Sequence, residues 1–167
     1  MALKLRYKGN VIKVYTGKGE IEKKEIDYER VVEANTIVVL PIFNDYILLE
    51  KQFRPAIMKY IYELPAGHIR KGEKHIDAAR REMKEETGYM PKRLKFMFKA
   101  YPEPGISTSM QYFYLATEFE KRTRHLDKDE IIKIKKVRLE DALKMIEKKK
   151  IIDLKTIAAI LFYKKYF

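Results

Sequence analysis

The chain predicts an α/β fold: a mixed β-sheet sandwiched between α-helices, preceded by an extra N-terminal antiparallel sheet. Three observations predict it. Short apolar or alternating runs recur between turn residues, as strands do. One long charged segment of good helix formers interrupts those runs, and two further helical patterns follow the last of them. With 167 residues, 46% of them hydrophobic, the chain can bury one real core and needs no second.

Taken in order, 3–14 and 21–32 alternate or run apolar around a Gly-Lys-Gly turn at 17–19, and predict antiparallel strands. TIVVLP from Thr36 and YILLEKQ from Tyr46 predict a hairpin turned at Phe-Asn-Asp, 43–45. A short strand over 60–64 leads into Pro65-Ala66-Gly67. The residues AARREMKEET predict a helix over about 77–87, ended by Gly88 in a left-handed cap. Its apolar side, Ile76, Ala79, Met83 and Tyr89, is expected to bury against a sheet. Strands over 94–101 and 110–117 flank the loop PEPGISTS, and 131–137 is a last strand before a helix over 139–148. Asp153 is placed to cap a final helix over 154–164, with Ile157, Ile160 and Leu161 on its buried side.

The chemistry concentrates between Gly67 and Tyr89, GHIRKGEKHIDAARREMKEETGY. Residues three and four apart share a helix face, so Glu82, Glu85 and Glu86 are expected to form one acidic cluster. Carboxylates packed together repel unless a cation sits between them. Hard oxygen donors of this kind suit Mg2+, with Mn2+ as a substitute, because these ions keep open positions for water and phosphate oxygens. Arg81 stands beside Glu82 and one turn before Glu85, where its fork can hold a carboxylate.

The spacing G-x5-E-x7-R-E-U-x-E-E-x-G-U (U apolar) is met by Gly67, Glu73, Arg81, Glu82, Met83, Glu85, Glu86, Gly88 and Tyr89. It resembles the Nudix box, the signature of hydrolases that cleave a nucleoside diphosphate linked to another group. Around it stand Gln52-Phe53-Arg54, Glu63-Leu64-Pro65-Ala66-Gly67 and Tyr101-Pro102-Glu103-Pro104-Gly105. That series is similar to the ADP-ribose pyrophosphatase branch, in which a proline beyond the box, here Pro104, is the usual selector.

The resemblance implies a set of roles. Metal ligands would be Glu82, Glu86, Glu85 and the backbone carbonyl of Ala66, with an acid on a later loop as base or further ligand. Glu130 is first among Asp127, Asp129 and Glu130 for that part, and Glu85 and Arg81 join it as catalytic candidates. Substrate contacts would come from Arg54, Glu63, Pro104 and Gly105, and the nucleotide wall from Tyr28 and Arg30 in the N-terminal sheet, often across a homodimer interface. Residues 1–35 would then serve dimerisation and the nucleotide wall, and 36–167 catalysis. Many relatives place an acid after P-G-x-S-x, where this chain has Ser109 and Met110. The implied reaction takes ADP-ribose, or a related nucleoside diphosphate sugar, to AMP and ribose 5-phosphate.

Composition narrows the partners. No apolar run is long enough to span a membrane, and the first residues, MALKLRYKG, lack the apolar core of a signal peptide. Without cysteine there are no disulfides or thiolate metal sites, which fits a cytoplasmic location. The net charge of +12 is spread over the whole chain with no recognisable RNA-binding motif, so it is expected to gather an anionic small molecule rather than nucleic acid. The abundance of Lys, Glu and Ile with only two Gln resembles hyperthermophile composition.

Overall fold

The computed structural model describes residues 2–126 and 131–167. The chain runs β1 (Ala2–Lys8), β2 (Lys13–Ile21), β3 (Lys24–Val32), β4 (Thr36–Phe43), β5 (Tyr46–Arg54), a 3-10 turn at Pro55–Ile57, β6 (Lys59–Glu63) and β7 (Ala66–His68). It continues with α1 (His75–Thr87), β8 (Tyr89–Ala100), β9 (Gln111–Lys121), β10 (Ile132–Arg138), α2 (Leu139–Glu147) and α3 (Leu154–Tyr166). The expected class holds, a mixed sheet between helices with a separate antiparallel sheet β1-β2-β3 in front.

In the main sheet the path is β10-β5-β4-β9-β8, and β4 runs parallel to β9 while the other pairs are antiparallel. Alternate residues of β4 enter opposite faces. Val38, Leu40 and Ile42 join Ile47, Leu49, Phe113, Ala159 and Ile160 beneath α2 and α3. Ile37 and Val39 join Leu48, Tyr114, Ala79 and Met83 beneath α1. A strand buried on both sides is apolar throughout, which accounts for the unbroken Ile-Val-Val-Leu run. Each such side chain contributes roughly 1.5–3 kcal/mol by leaving water.

Two details differ from expectation, one in the front sheet and one in α3. Gly17 to Gly19 lies inside β2, not in a turn; the chain reverses near Gly9, and again at Glu22 and Lys23, whose φ values are 49° and 64°. Residues with positive φ at both turn positions match the right-handed twist of a two-residue hairpin. Gly17 instead lies opposite Tyr28, and a Cβ there would collide with the tyrosine ring. Leu161, expected inward, is 48% exposed, and Ile160 carries the buried side of α3.

The β4–β5 hairpin keeps only two pairs, Ile42↔Ile47 and Phe43↔Tyr46. Beyond them the arms part. β7 takes the place beside β4 at Thr36–Val38, and β6 pairs with the outer half of β5. The mouth of this split is where the acidic helix meets the sheet.

Candidate functional site

A cavity of about 400 Å³ lies at that mouth, lined by Thr36, Gln52, Arg54, Ala66, Gly67, His68, Arg70, Arg81, Glu82, Glu86, Gln111 and Lys155. Each wall follows from local structure. Val39 N–H donates to Pro65 O and Ile69 N–H to Asn35 O, so the alternation of an antiparallel pair turns Ala66 and His68 away from β4. Their polar groups face α1 instead. Ala66 N–H donates to Glu86 Oε2 at 3.0 Å, and His68 O accepts from Arg81 at 3.0 Å. By the same alternation the Ala66 carbonyl points to this edge.

Helix α1 closes on Gly88 in the left-handed conformation, φ 76°, as expected. Its glutamates fall in the last two turns, at the negative end of the helix dipole, where carboxylates are disfavoured. Arg81 offsets this. Its Nε and one terminal nitrogen fork onto Glu73 at 2.8 and 3.0 Å, and its other terminal nitrogen reaches Glu82 at 2.6 Å and Glu85 at 3.0 Å. The Arg81 hydrogen bonds hold the Glu73 carboxyl down at about 2. Those to Glu73, Glu82 and Glu85 raise Arg81 itself further above its ordinary range, against the effect of burial.

The single acidic cluster expected on α1 is corrected. Among the described residues no three acids or histidines are grouped so as to hold a metal ion; Glu73, Glu82 and Glu85 converge on the Arg81 guanidinium instead. Glu82 and Glu86 line the cavity, whereas Glu85 turns aside to Arg81 and Arg70. At about 100° per residue Glu86 lies about 40° to one side of Glu82 and Glu85 about 60° to the other, so Glu85 is the one turned away from the Ala66 edge. The two inward carboxylates beside the Ala66 edge still make a hard oxygen donor set that fits a divalent ion. Gly67 leaves room for this approach, since a Cβ there would collide with the Glu82 carboxylate.

The opposite wall is cationic. Arg54 forks onto Glu63 through Nε and one terminal nitrogen, both at 2.6 Å. Lys155 Nζ reaches the same carboxylate and Asp153. Glu63, a candidate substrate contact, is 1% exposed and lies behind these cations, outside the cavity lining. Burial alone would raise its carboxyl, but the Arg54 hydrogen bond and the charges of Lys155 and Arg54 hold it below the ordinary value. The Glu63 hydrogen bond in turn raises Arg54.

The remaining described candidates are not brought to this cavity. Pro104 and Gly105 lie exposed on a loop tied to β3, where Val31 N–H donates to Ile106 O and Thr108 N–H to Val31 O. Tyr28 and Arg30 share one face of the front sheet with Leu3, Leu5 and Tyr15, by register. Arg30 Nε is buried there without a hydrogen-bond partner among the described residues. Asp127, Asp129 and Glu130 lie outside the described residues. The flank before that segment meets the C-terminal end of α1: His125 N–H donates to Glu85 O, and Arg124 donates to Glu86 O and also to Ile132 O on the other flank.

Lys155, Arg124, Thr36 and Gln111 were missed from sequence. Lys155 had one legible signal, the capping residue Asp153 two positions before it, which fixes where that lysine emerges from α3.

No helix among the described residues is long and apolar enough to cross a membrane. Comparison with known proteins agrees with the geometry. A family model described as NUDIX domain matches residues 33–159. A Bacillus subtilis (strain 168) protein named ADP-ribose pyrophosphatase is 35% identical over 158 residues, 92% of this chain and 85% of that one. The methanol dehydrogenase activator of Bacillus methanolicus is 30% identical over 158 residues, with the same coverage of 92% and 85%. The crystal structure of an ADP compounds hydrolase superposes with a TM-score of 0.89 at 19% identity, covering 99% of this chain and 91% of that one, which speaks to the fold. With the box residues arranged around this cavity and the domain match over most of its length, the chain belongs to the NUDIX family of hydrolases.

Proposed function

We propose that the chain is a pyrophosphatase of nucleoside diphosphate sugars, with ADP-ribose its substrate and AMP and ribose 5-phosphate its products. The observation that carries this reading is that one cavity holds both a carboxylate pair and cations able to meet phosphate. Glu82, Glu86 and the Ala66 edge form one wall; Arg54 and Lys155 stand across from them. The Bacillus subtilis relative, similar over nearly the whole chain, supports the same substrate.

Glu82, Glu86 and the Ala66 carbonyl would hold divalent metal, Mg2+ with Mn2+ as a substitute. Bound there, such metal neutralises phosphate charge and makes water a better nucleophile. The protein's own groups do the rest. Arg54 offers a terminal nitrogen not used on Glu63 to a phosphate oxygen, in the geometry that guanidinium suits best. Arg81 keeps Glu82 in one rotamer, so that the carboxylate needs no reorganisation during turnover. In the reaction water attacks one phosphorus, the bridging P–O bond breaks, and one proton leaves the water for a loop acid. Glu130 is first for that role, ahead of Asp127, Asp129 and Glu85. The preceding flank lies against α1, and Arg124 links Glu86 O to Ile132 O across the segment, which supports a loop acid.

Residues 1–35 form the dimerisation and nucleotide-wall unit of this reading, with Tyr28 and Arg30 facing a partner copy's cavity, and residues 36–167 form the catalytic unit. The exposed Leu3 and Leu5 on the same face, at 44% and 46%, and the buried unsatisfied Arg30 Nε support it. The test is turnover of ADP-ribose, GDP-mannose, dinucleoside polyphosphates and 5'-capped or triphosphorylated RNA with Mg2+, products separated by chromatography. ADP-ribose cleaved fastest, to AMP and ribose 5-phosphate, is the expected result. Preference for polyphosphates or RNA ends would overturn the substrate.

A further inference from the structure

We propose that Lys155 is a positioning residue for the phosphate side of the cavity: it clamps the Glu63 carboxylate together with Arg54, and so fixes the guanidinium edge that meets a diphosphate. The inference rests on the reading that this cavity takes a nucleoside diphosphate.

Lys155 is the second residue of α3, whose first turn is anchored to the split in the sheet. Asp153 Oδ2 accepts from Thr156 N–H at 3.0 Å and from Thr156 Oγ1 at 2.6 Å. Thr156 Oγ1 in turn accepts from Leu64 N–H at 2.8 Å, at the end of β6. The cap and the strand are therefore tied without any contribution from Lys155. Nor does Glu63 need a second cation for its hydrogen bonds, since Arg54 already engages both of its oxygens.

The lysine is nonetheless held inward, its side chain only 14% exposed. Two costs oppose that. An ammonium loses hydration on burial, and a cation in the first turn of a helix opposes the dipole. Asp153 and Glu63 compensate it, with Asp153 Oδ1 at 2.9 Å. The outcome is a polarised layer. Arg54 and Lys155 line the cavity, while Glu63 and Asp153 lie behind them.

Both cations converge on one oxygen, Glu63 Oε2. They repel one another across it, and an anion entering in front relieves that repulsion. With Nε and one terminal nitrogen occupied by Glu63, the other terminal nitrogen of Arg54 has no protein hydrogen bond among the described residues. Removing Lys155 leaves Glu63 held from one side only. The Arg54 fork can then swing with the carboxylate, and the edge offered to a phosphate is no longer fixed.

The test compares wild type with Lys155→Met, Lys155→Gln and Lys155→Arg. Affinity is measured by calorimetry in EDTA, where cleavage is arrested, with ADP-ribose and with inorganic pyrophosphate as probes. Turnover is measured separately with Mg2+. Lys155→Met should weaken both probes about tenfold and raise KM similarly while kcat stays within about threefold, the pattern of lost binding. Lys155→Arg should restore affinity, and Lys155→Gln serves in place of Lys155→Met if the latter fails to fold. Unchanged affinity for both probes overturns the proposal, as does a fall in kcat with KM constant. If the wild type binds pyrophosphate but cleaves no nucleoside diphosphate sugar, the substrate reading fails instead. Lys155 is then judged on pyrophosphate affinity alone.

Discussion

Replacing Gly67 by alanine adds one methyl group, and the structure says where it must go. The new Cβ would lie within 2.6 Å of Glu82 Oε2, with the other carboxylate atoms nearer still. An ordinary carbon–oxygen contact is about 3.5 Å, so the carboxylate must withdraw by roughly 1 Å. The backbone at Gly67 does not have positive φ, so alanine is conformationally acceptable there. What yields is the far end of a flexible side chain, at the cost of weakening its 2.6 Å bond to Arg81. Overpacking of this kind costs about 1–3 kcal/mol, and the relief available places Gly67→Ala toward the lower end. The functional cost is larger. A displacement of about 1 Å in a group that positions reactants can lower turnover by roughly 10²-fold. The assay is Mg2+ titration of ADP-ribose hydrolysis, beside thermal unfolding in EDTA. Expected are a kcat lower by about two orders of magnitude, a higher Mg2+ requirement and a melting temperature within a few degrees of wild type. Wild-type kcat and Mg2+ dependence in a folded Gly67→Ala protein would show that the Glu82 position does not matter, and would refute the reasoning.

Glu82→Gln and Glu86→Gln should each lower turnover by two or more orders of magnitude, about 3 kcal/mol of transition-state stabilisation, without loss of fold; near-normal activity in both would remove the metal assignment. In Glu86→Gln the amide oxygen can still accept from Ala66 N–H, so unfolding in EDTA should be little changed. Arg81→Lys keeps the charge but cannot span Glu73, Glu82 and Glu85 together, and should lower both the melting temperature and kcat; full activity would show that the fork is dispensable. Acid pH gives a separate test. The Glu73 carboxyl is depressed from its ordinary 4.5 to about 2, so its stabilisation is complete above about pH 4.5 and is lost as pH falls toward 2. In circular-dichroism melts Glu73→Gln should therefore start less stable at pH 6 and decline less steeply below pH 4.5; parallel curves would contradict that linkage.

Local patterns were legible because their causes are local. Gly88 could be read as a left-handed cap because only glycine adopts that conformation freely at the end of a helix. Asp153 could be read as a cap from its place before an apolar repeat. The unbroken Ile-Val-Val-Leu run marked a strand, and the box spacing marked a helix with acids on one side and Ala79 and Met83 on the other. Gly17 misled because a turn and a close packing contact favour the same residue, and only the pairing of β2 with β3 brings Tyr28 over it.

The cavity depends on contacts between distant segments. By itself the sequence determined the family, the acidic helix, the order of strands and helices from β4 onward except the short β7, and the carboxylate character of the site, because each is written in neighbours or fixed spacings. Tertiary structure decided which acids face inward. Glu82 and Glu86 turn to the Ala66 edge, while Glu85 is drawn off by Arg70 and Arg81. It also decided that Glu63 lies buried under Arg54, and that Lys155, ninety-two positions away in sequence, meets it there. Those outcomes hang on where β4 and β5 part and where α3 docks. No run of residues encodes such a meeting; it exists only once both cores have closed and unpaired buried charge has become too costly to leave.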